Sequence, residues 1–494
     1  MLIPHEYSEL TDSEKYLTRL CKHSFLNLWS WPHVYRNQLC FGNQGKEVCD
    51  LLVIFESNII IFSDKYCEFP DTGNLLLDWC RWFKKAIFRS AQQIWGAERW
   101  IKNFPDRLYL DKKCKQPFPL RLPNSNDAIF HRIVVAHGSS ERSRKILDGN
   151  VSLMVNTNII GKDHFDLKSG HVIPFTVGTL SKDRGFVHVL DDFTLDIVLK
   201  TVDTVTDFTN YLTKKQQLFE SGNSVMASGE EDLLALYLQK LNEAGEHDFQ
   251  LSKDQDLIVL AEGFWDRFQI HPDRISQIKA NEVSYTWDRL IDTFSKHVLN
   301  GTLYFSTHEK ISDHETGLKF LAKEPRTRRR ALSKSLFTIM ERANSEGRSV
   351  RVLQGASNDE PYYVFLSFER REDRTLEEYR IVRRDLLISY CFVTKLEFPD
   401  AKHVVGIATE PRSYEINRSE DLIYLDACQW TENNQQEAKR IQKNLGLLSK
   451  TKRTKFTEKE YPTREIIKGL KGRDRNKPCY CGSGKKYKKC CGKN

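Results

Sequence analysis

Apolar positions in the first 140 residues follow two different periods. Some segments repeat apolar side chains every three or four residues, which predicts amphipathic helices, and others are almost continuously apolar over eight to ten residues, which predicts buried strands. In chain order they predict a helix, a hairpin, a second helix and a further strand, at residues 13–29, 48–55 with 58–65, 75–101 and 129–138. The block has the size of one domain.

The remaining chain changes character several times. The overall prediction is a multidomain protein of mixed α/β and α+β class, because 494 residues exceed the usual size of one core. Gly222 to Glu231 is small and polar, which predicts a linker, and residues 350–353, 362–368, 386–392 and 404–408 predict strands. The predicted regions are 1–140, 141–222 (strand-rich), 230–345 (mainly helical), 346–445 (mixed), 446–475 (basic linker) and 476–494 (cysteine-containing tail).

Charge is distributed unevenly along the chain. The net charge is +8, but residues 439–494 hold 19 Lys and Arg against 4 Asp and Glu, a net of +15, which leaves −7 for the preceding residues. Such a segment could neutralise the phosphates of a nucleic acid or a ribosome, or could be a solvated linker. The chain starts without a basic and apolar leader and has no run long enough to cross a bilayer, so a cytoplasmic protein is expected, with no membrane partner.

Two close pairs of cysteines lie in the last sixteen residues. Cys479, Cys481, Cys490 and Cys491 are separated by a segment rich in Gly and Lys. Four thiolates can surround one Zn²⁺ when two pairs meet across a tight turn, which predicts a structural zinc site, and a disulfide or free thiols are the alternatives. The pattern resembles the SEC-C motif, the small zinc module of the translocase ATPase SecA that is appended to many other bacterial proteins. The resemblance implies a recognition tail and not a SecA activity, since no phosphate-binding loop is present.

Acidic and basic residues mark the ends of the predicted hairpin. Glu47 and Asp50 lie at the start of its first strand, and Asp64 and Lys65 end the second. With the order of elements, this resembles the core of PD-(D/E)XK nucleases, and the resemblance implies a restriction-endonuclease-like αβββαβ core for residues 1–140. The resemblance implies that Asp50 and an acid on the next strand hold Mg²⁺ or Mn²⁺, that Lys65 orients the attacking water, and that Glu47 is an auxiliary acid. Hard divalent cations require such oxygen ligands, and phosphodiester hydrolysis requires neutralised charge.

This sequence departs from the nuclease pattern at one position. Ser63 lies where the acid two residues before the lysine is expected, and Asp64 should face the other side of a regular strand. A bulge could turn Asp64 into the site as the second magnesium ligand, or Glu47 or Glu68 could supply the oxygen. An inactive site and a merely structural hairpin are the remaining alternatives.

Basic residues at two places predict nucleic-acid contacts. The first set lies on the polar face of the second helix, and the second begins a later helix, where ion pairs with Glu324 and Glu341 are the alternative. His131 and His137 bracket the last strand of the first block and could approach the site, although such residues usually have structural roles. The predicted nucleic-acid contacts are Lys84, Lys85, Arg89, Arg328, Arg329 and Arg330.

Three functions are consistent with these patterns. The leading hypothesis is a metal-dependent nuclease, a hydrolase acting in bacterial defence against phage or mobile elements. The first alternative is a non-catalytic adaptor whose zinc tail binds nucleic acid, the ribosome or a protein partner. The second is a scaffold that has kept a nuclease-like fold without its site.

Overall fold

The structure is a computed structural model of the 494-residue chain. The residues it describes are 11–37, 45–147, 152–249, 257–300, 311–341, 347–355, 357, 359–370, 373–412, 418–449, 453–454, 457–462, 475–476 and 485–489.

The chain forms two compact units. Unit 1 consists of Met1–Lys279 with Glu460–Asn494, and unit 2 consists of Ala280–Lys459. The division falls inside residues 230–345, which the sequence pattern assigned to one mainly helical region. Each unit contains both helices and sheets, so the predicted multidomain α/β character is confirmed.

A six-stranded mixed sheet forms the centre of unit 1. Its strand order is β4-β1-β2-β3-β5-β8. Strands β1, β2 and β3 pair antiparallel, whereas β5 runs parallel to β3 and β8 parallel to β5. The predicted hairpin is β2–β3, with its turn at Glu56 and Ser57. The strands are β1 Ser30–Arg36, β2 Lys46–Phe55, β3 Asn58–Tyr66, β4 Leu108–Tyr109, β5 Ile129–His137 and β8 Val187–Asp191.

Helices cover both faces of this sheet. Helix α1 (Asp12–Trp29) begins with a capping box in which Thr11 and Glu14 exchange side-chain and backbone hydrogen bonds. Phe62 of β3 packs on this side, with its ring 6.4 Å from that of Phe25. The neighbouring Ile61 faces the opposite core, because side chains alternate along a strand. There lie α2 (Leu75–Phe83), a π-helical turn (Lys84–Phe88) and α3 (Arg89–Asn103).

A second, four-stranded sheet completes unit 1. Its order is β10-β9-β6-β7. Strand β9 (Ser224–Ala227) lies inside the segment predicted as a linker, so that prediction is wrong. Val225 is fully buried, and the strand is too short to show an apolar alternation in sequence. The other elements are α4 Ser140–Ile146, β6 Met154–Ile160, β7 Thr176–Thr179, α5 Thr194–Thr201, α6 Val205–Glu220, α7 Glu230–Gln239, β10 Leu257–Leu260, α8 Phe264–Gln269 and α9 Pro272–Asn281.

Unit 2 contains a third sheet, of order β11-β12-β13-β14. Helix α13 connects the parallel pair β12–β13 and includes residues 386–392, which the sequence predicted as a strand. That prediction is wrong because a capping box at Thr375 starts the helix and Leu387 and Cys391, one turn apart, enter its core. The elements are α10 Tyr285–Asn300, α11 Ile311–Lys323, α12 Arg326–Met340, β11 Arg348–Leu353, β12 Tyr362–Phe368, α13 Leu376–Glu397, β13 His403–Thr409, β14 Asp421–Asp426 and α14 Glu432–Leu445.

Candidate functional site

Asp50 lies where strands β2 and β3 separate. The paired register of the two strands runs from the turn to Leu51 and Phe62, and Asp50 is the residue that precedes Leu51 in the chain. There the Asp50 carboxylate replaces a backbone acceptor, since its Oδ2 accepts a hydrogen bond of 2.6 Å from the backbone N–H of Asp64. The Asp50 carboxylate, which belongs to β2, therefore lies at the open end of the hairpin and is held there by the backbone of β3.

The surroundings of Asp50 are rich in negative charge. Burial raises the pKa of its carboxyl group, the hydrogen bond from Asp64 opposes the rise, and the charges of Glu47, Glu14 and Asp64 add to it, which places the pKa at about 7. Glu14 belongs to the first turn of α1, and the sequence indicated it only as a helix residue. Its position on the first helix was the one signal that could have identified it.

Glu47 has a histidine partner across the sheet. His33 of β1 and Glu47 of β2 are joined through Nδ1 and Oε1. The hydrogen bond that His33 makes to the Glu47 carboxylate raises the pKa of His33, against the effect of burial. His33 adopts a positive φ of 51°, next to a shift in the β1–β2 register between Val34 and Tyr35. This irregular stretch brings an imidazole to the acidic end of the hairpin.

Asp64 faces away from Lys65 and is enclosed. The β3–β5 register runs without a shift from Asn58 to Tyr66, so β3 has no bulge against β5 that would rotate Asp64. Its side chain has no solvent exposure, and its Oδ1 lies 3.0 Å from Nε2 of His137. In a regular strand Ser63 and Lys65 share the other side; Ser63 is buried and Lys65 is exposed. The structure therefore does not bring the Asp64 carboxylate to Lys65.

His137 links two carboxylates at the ends of three parallel strands. Its Nδ1 is hydrogen-bonded to Asp192, which follows β8, while Nε2 faces Asp64 at the end of β3. Burial lowers the pKa of His137, but the two carboxylates outweigh that effect and raise the pKa to about 10. Gly138, at a φ of 102°, lets the chain pass close to the carbonyl oxygen of Cys67. The sequence indicated His137 but gave no sign of Asp192.

Within the described part of the chain, these acidic residues do not form a closed metal cage. Within the described ranges, Glu14, Glu47, Asp50 and Asp64 do not place three ligand oxygens within 4.8 Å of one another. Glu68, the other candidate acid, is exposed just beyond β3. The donor set fits a hard divalent cation, because the charges of Glu47, Glu14 and Asp64 raise the pKa of Asp50 and a positive charge placed beside that carboxyl group would oppose this effect.

The two predicted basic sets have different surroundings. Lys84, Lys85 and Arg89 are exposed along the π-helical turn and the start of α3. Arg329 and Arg330 are buried, at 1% and 0% exposure. At this burial their guanidinium groups are not accessible to the phosphates of a nucleic acid, which corrects their predicted role.

Buried partners hold these arginines in unit 2. Arg329 donates to Asp288 at 2.6 Å and to the carbonyl oxygen of Ala322 at 2.6 Å. Arg330 donates to Asn281 at 2.6 Å and contacts Glu458 at 3.3 Å. Arg328 is the more exposed of the three and lies 3.8 Å from Glu324, in agreement with the alternative of ion pairing. Acids from other parts of unit 2 thus neutralise the charges of Arg328, Arg329 and Arg330.

The cysteine-rich tail has a clear relative. Residues 475–493 match the SEC-C motif. The predicted zinc ligands Cys479, Cys481, Cys490 and Cys491 lie outside the described residues. Two protein translocase subunits SecA are similar: that of Trichlorobacter lovleyi is 65% identical over 34 residues, and that of Geobacter metallireducens is 39% identical over 79 residues.

These similarities cover a small part of each protein. They include 7% and 16% of this chain, and the chain spans only 4% and 7% of the length of the two SecA proteins. No solved structure matches the chain. Among the described residues, no helix is long and apolar enough to cross a membrane. The SEC-C segment is therefore shared with SecA, and the rest of unit 1 and unit 2 must be interpreted from their own residues.

Proposed function

We propose that unit 1 is a metal-dependent nuclease whose site is centred on Asp50. The observation that carries the proposal is the position of this half-buried carboxyl group, with a pKa raised to about 7, beside Glu14, Glu47 and Asp64. Burying carboxylates close together costs folding free energy. Carboxyl groups with perturbed pKa values concentrate at functional sites, so the Asp50 group is a candidate for one.

The order of elements supports the same proposal. Helix α1 leads into three antiparallel strands, and the helical run α2–α3 then crosses to β5, which is parallel to β3. Apart from the two-residue strand β4 between α3 and β5, this order resembles the αβββαβ order of PD-(D/E)XK nucleases, and this resemblance supports the proposal. In that comparison Glu14 takes the place of an acid on the first helix, Asp50 that of the strand aspartate, and Lys65 that of the lysine on the next strand.

Each residue has a separate task in the proposed site. Asp50, Glu14 and Glu47 would hold Mg²⁺ or Mn²⁺, which when bound would neutralise the phosphate and lower the pKa of a bound water. Lys65, exposed beside this end of the hairpin, would orient the water and contact the scissile phosphate. Asp64 contributes its backbone N–H, which fixes Asp50, and its carboxylate is neutralised by His137. Ser63 occupies the usual acidic position without supplying a charge.

The substrate is a nucleic acid with an accessible phosphodiester backbone. Lys84, Lys85 and Arg89 are the exposed cations that would contact phosphates next to the site. The basic segment after residue 439 would add sequence-independent affinity. Defence against phage or mobile elements is the cellular role that we associate with this activity.

Paired variants test the nuclease proposal. Purified protein with Mn²⁺ or Mg²⁺ should cleave single-stranded DNA, duplex DNA or RNA, and Asp50→Asn and Lys65→Met should each reduce cleavage by on the order of 100-fold or more. Asn keeps an oxygen that can accept the Asp64 N–H, so the fold should persist. Asp127→Asn is the matched control, because this exposed aspartate lies before the opposite end of β5.

Metal binding provides a second measurement. Asp50→Asn should weaken Mn²⁺ binding, measured by calorimetry, whereas Asp127→Asn should not. The nuclease proposal fails if the wild-type protein cleaves none of these substrates, or if Asp50→Asn cleaves as fast as the control variant.

The SEC-C match favours one second candidate. A zinc-bearing tail of this kind, formed by Cys479, Cys481, Cys490 and Cys491, would make the protein an adaptor for nucleic acid, the ribosome or a protein partner. If defence against phage persists in Asp50→Asn but is lost in the double variant Cys490→Ser, Cys491→Ser, the adaptor is favoured.

A further inference from the structure

Three chemically different side chains meet at one end of the sheet in unit 2. They are His403 at the start of β13, Asp426 at the end of β14 and Cys428 two residues later. One ligand atom from each, an imidazole nitrogen, a carboxylate oxygen and the thiol sulfur, lies within 4.8 Å of the other two. Within the described ranges, no other group of three or more His, Cys, Asp or Glu residues has its ligand atoms this close together.

Backbone pairing places two of these residues. His403 and Asp426 are opposite each other in the antiparallel β13–β14 ladder, so their side chains lie on the same side of the sheet. The N–H of Ala427 donates to the carbonyl oxygen of Lys402 at 2.9 Å and extends the pairing by one step. Since Ala427 is buried and its two neighbours are exposed, Asp426 and Cys428 both project outward.

A turn and two rings hold the donor atoms in place. The backbone N–H of Cys428 donates to Oδ1 of Asp426 at 2.9 Å, which closes the turn around the carboxylate. Nδ1 of His403 is hydrogen-bonded to the hydroxyl of Tyr424 at 2.9 Å, and the His403 ring packs 4.9 Å from that of Phe320. Such partners of an imidazole set its orientation in metal sites.

The nearest cation of the same segment is directed to another acid. The ammonium group of Lys402 contacts the carboxylate of Asp359 at 2.5 Å. The charge of Lys402 is thus balanced outside the group, and the Asp426 carboxylate is available on the solvent side.

We propose that His403, Asp426 and Cys428 bind one divalent transition-metal ion of the Zn²⁺ class. A nitrogen, a sulfur and an oxygen ligand suit Zn²⁺ or Co²⁺, whereas Mg²⁺ and Ca²⁺ require oxygen ligands throughout. Three protein ligands on a solvent-exposed edge leave the fourth tetrahedral position to water. This site is independent of the SEC-C cysteines and of the acidic site at Asp50.

Cobalt titration of the full chain tests the site. Cys479, Cys481, Cys490 and Cys491 are first changed to Ser, so that the SEC-C cysteines do not contribute to the signal. This protein should bind one Co²⁺ with a thiolate-to-cobalt charge-transfer band, and addition of Zn²⁺ should remove the band while excess Mg²⁺ should not. Cys428→Ser should abolish the band, His403→Gln and Asp426→Asn should weaken binding at least about 10-fold, and Cys114→Ser, at a half-buried cysteine of unit 1, should leave it unchanged.

Alkylation gives an independent measurement of the same site. Cys428 is exposed and should react with iodoacetamide, and Zn²⁺ should slow this reaction at least 10-fold in the wild-type sequence but not in His403→Gln. The proposal is overturned if Co²⁺ does not bind, if Cys428→Ser retains the band, if Mg²⁺ competes as well as Zn²⁺, or if Zn²⁺ leaves alkylation unaffected. Circular dichroism of each variant verifies that the fold is retained.

Discussion

Arg329→Ala should destabilise unit 2 strongly, because this arginine joins three parts of the unit from a buried position. Its guanidinium group donates to Asp288 at 2.6 Å and to two backbone carbonyl oxygens, those of Ala322 and Glu324, at 2.6 and 2.8 Å. Its side chain is 1% exposed. Removal of one partner of a buried ion pair costs about 3–5 kcal/mol when the other charge is left buried without a partner. Asp288 keeps a second contact, to Arg326 at 2.7 Å, so we expect the lower end of this range, about 3 kcal/mol.

A neighbouring arginine offers a matched comparison. Arg328→Ala removes a cation with 21% side-chain exposure and a 3.8 Å contact to Glu324, so its cost should be about 0–1 kcal/mol. For a unit of this size 1 kcal/mol corresponds to a melting-temperature change of about 2–4 °C, so Arg329→Ala should lower the transition of unit 2 by roughly 10 °C. Urea denaturation followed through the fluorescence of Trp287, which is buried in unit 2, measures both variants.

The opposite ordering would refute this reasoning. If Arg329→Ala costs less than about 1 kcal/mol and instead weakens nucleic-acid binding with a lower salt dependence, Arg329 contacts phosphate and is not a structural residue. Arg329→Ala combined with Asp288→Ala should cost less than the sum of the two single changes, because each removes the same ion pair.

Four further predictions concern the tail, a histidine and a glycine. Cys490→Ser with Cys491→Ser should remove one zinc per chain by elemental analysis and leave residues 1–440 folded, since the SEC-C segment is too small for a core of its own. Removal of residues 463–494, which keeps Glu458 and its contact with Arg330, should weaken nucleic-acid binding and flatten its salt dependence. Burial lowers the pKa of His164 to about 4, against about 6.5 in the unfolded chain. The neutral ring therefore leaves unit 1 fully stable above pH 6.5, and about 3 kcal/mol of the free energy of unfolding is lost as the pH falls to 4. In urea unfolding measured over this pH range, His164→Gln should not show this loss. Gly138→Ala should destabilise unit 1 by more than 1 kcal/mol in the same assay, because its φ is 102° and the added Cβ would lie 2.2 Å from a backbone oxygen.

Much of the local structure was predictable from sequence. The helix after Thr11, the hairpin, the helical run from Leu75 and the strand from Ile129 occur where the apolar periods placed them. These patterns depend on neighbouring residues and on capping groups within one turn, and both are visible in the sequence. The SEC-C motif was identifiable for the same reason, because its four cysteines lie within thirteen residues.

The same local reasoning failed where packing outweighed propensity. Residues 386–392 carry apolar and β-branched side chains, yet they lie in α13 because that helix presents Leu387 and Cys391 to the sheet of unit 2. Ser224–Ala227 forms a strand because it can pair with two neighbours that are distant in sequence. A short segment takes the structure that satisfies its partners, and the segment itself does not contain them.

The charged groups show the division most clearly. The sequence by itself determined which acids and bases exist, that Asp50 and Asp64 end two paired strands, and that a basic run begins α12. Only the tertiary structure decided that His137 neutralises Asp64, that Glu14 approaches Asp50, and that Asp288 buries Arg329. The physical reason is that the state of an ionisable side chain depends on burial and on charges within a few ångströms, and folding brings those charges from remote parts of the chain.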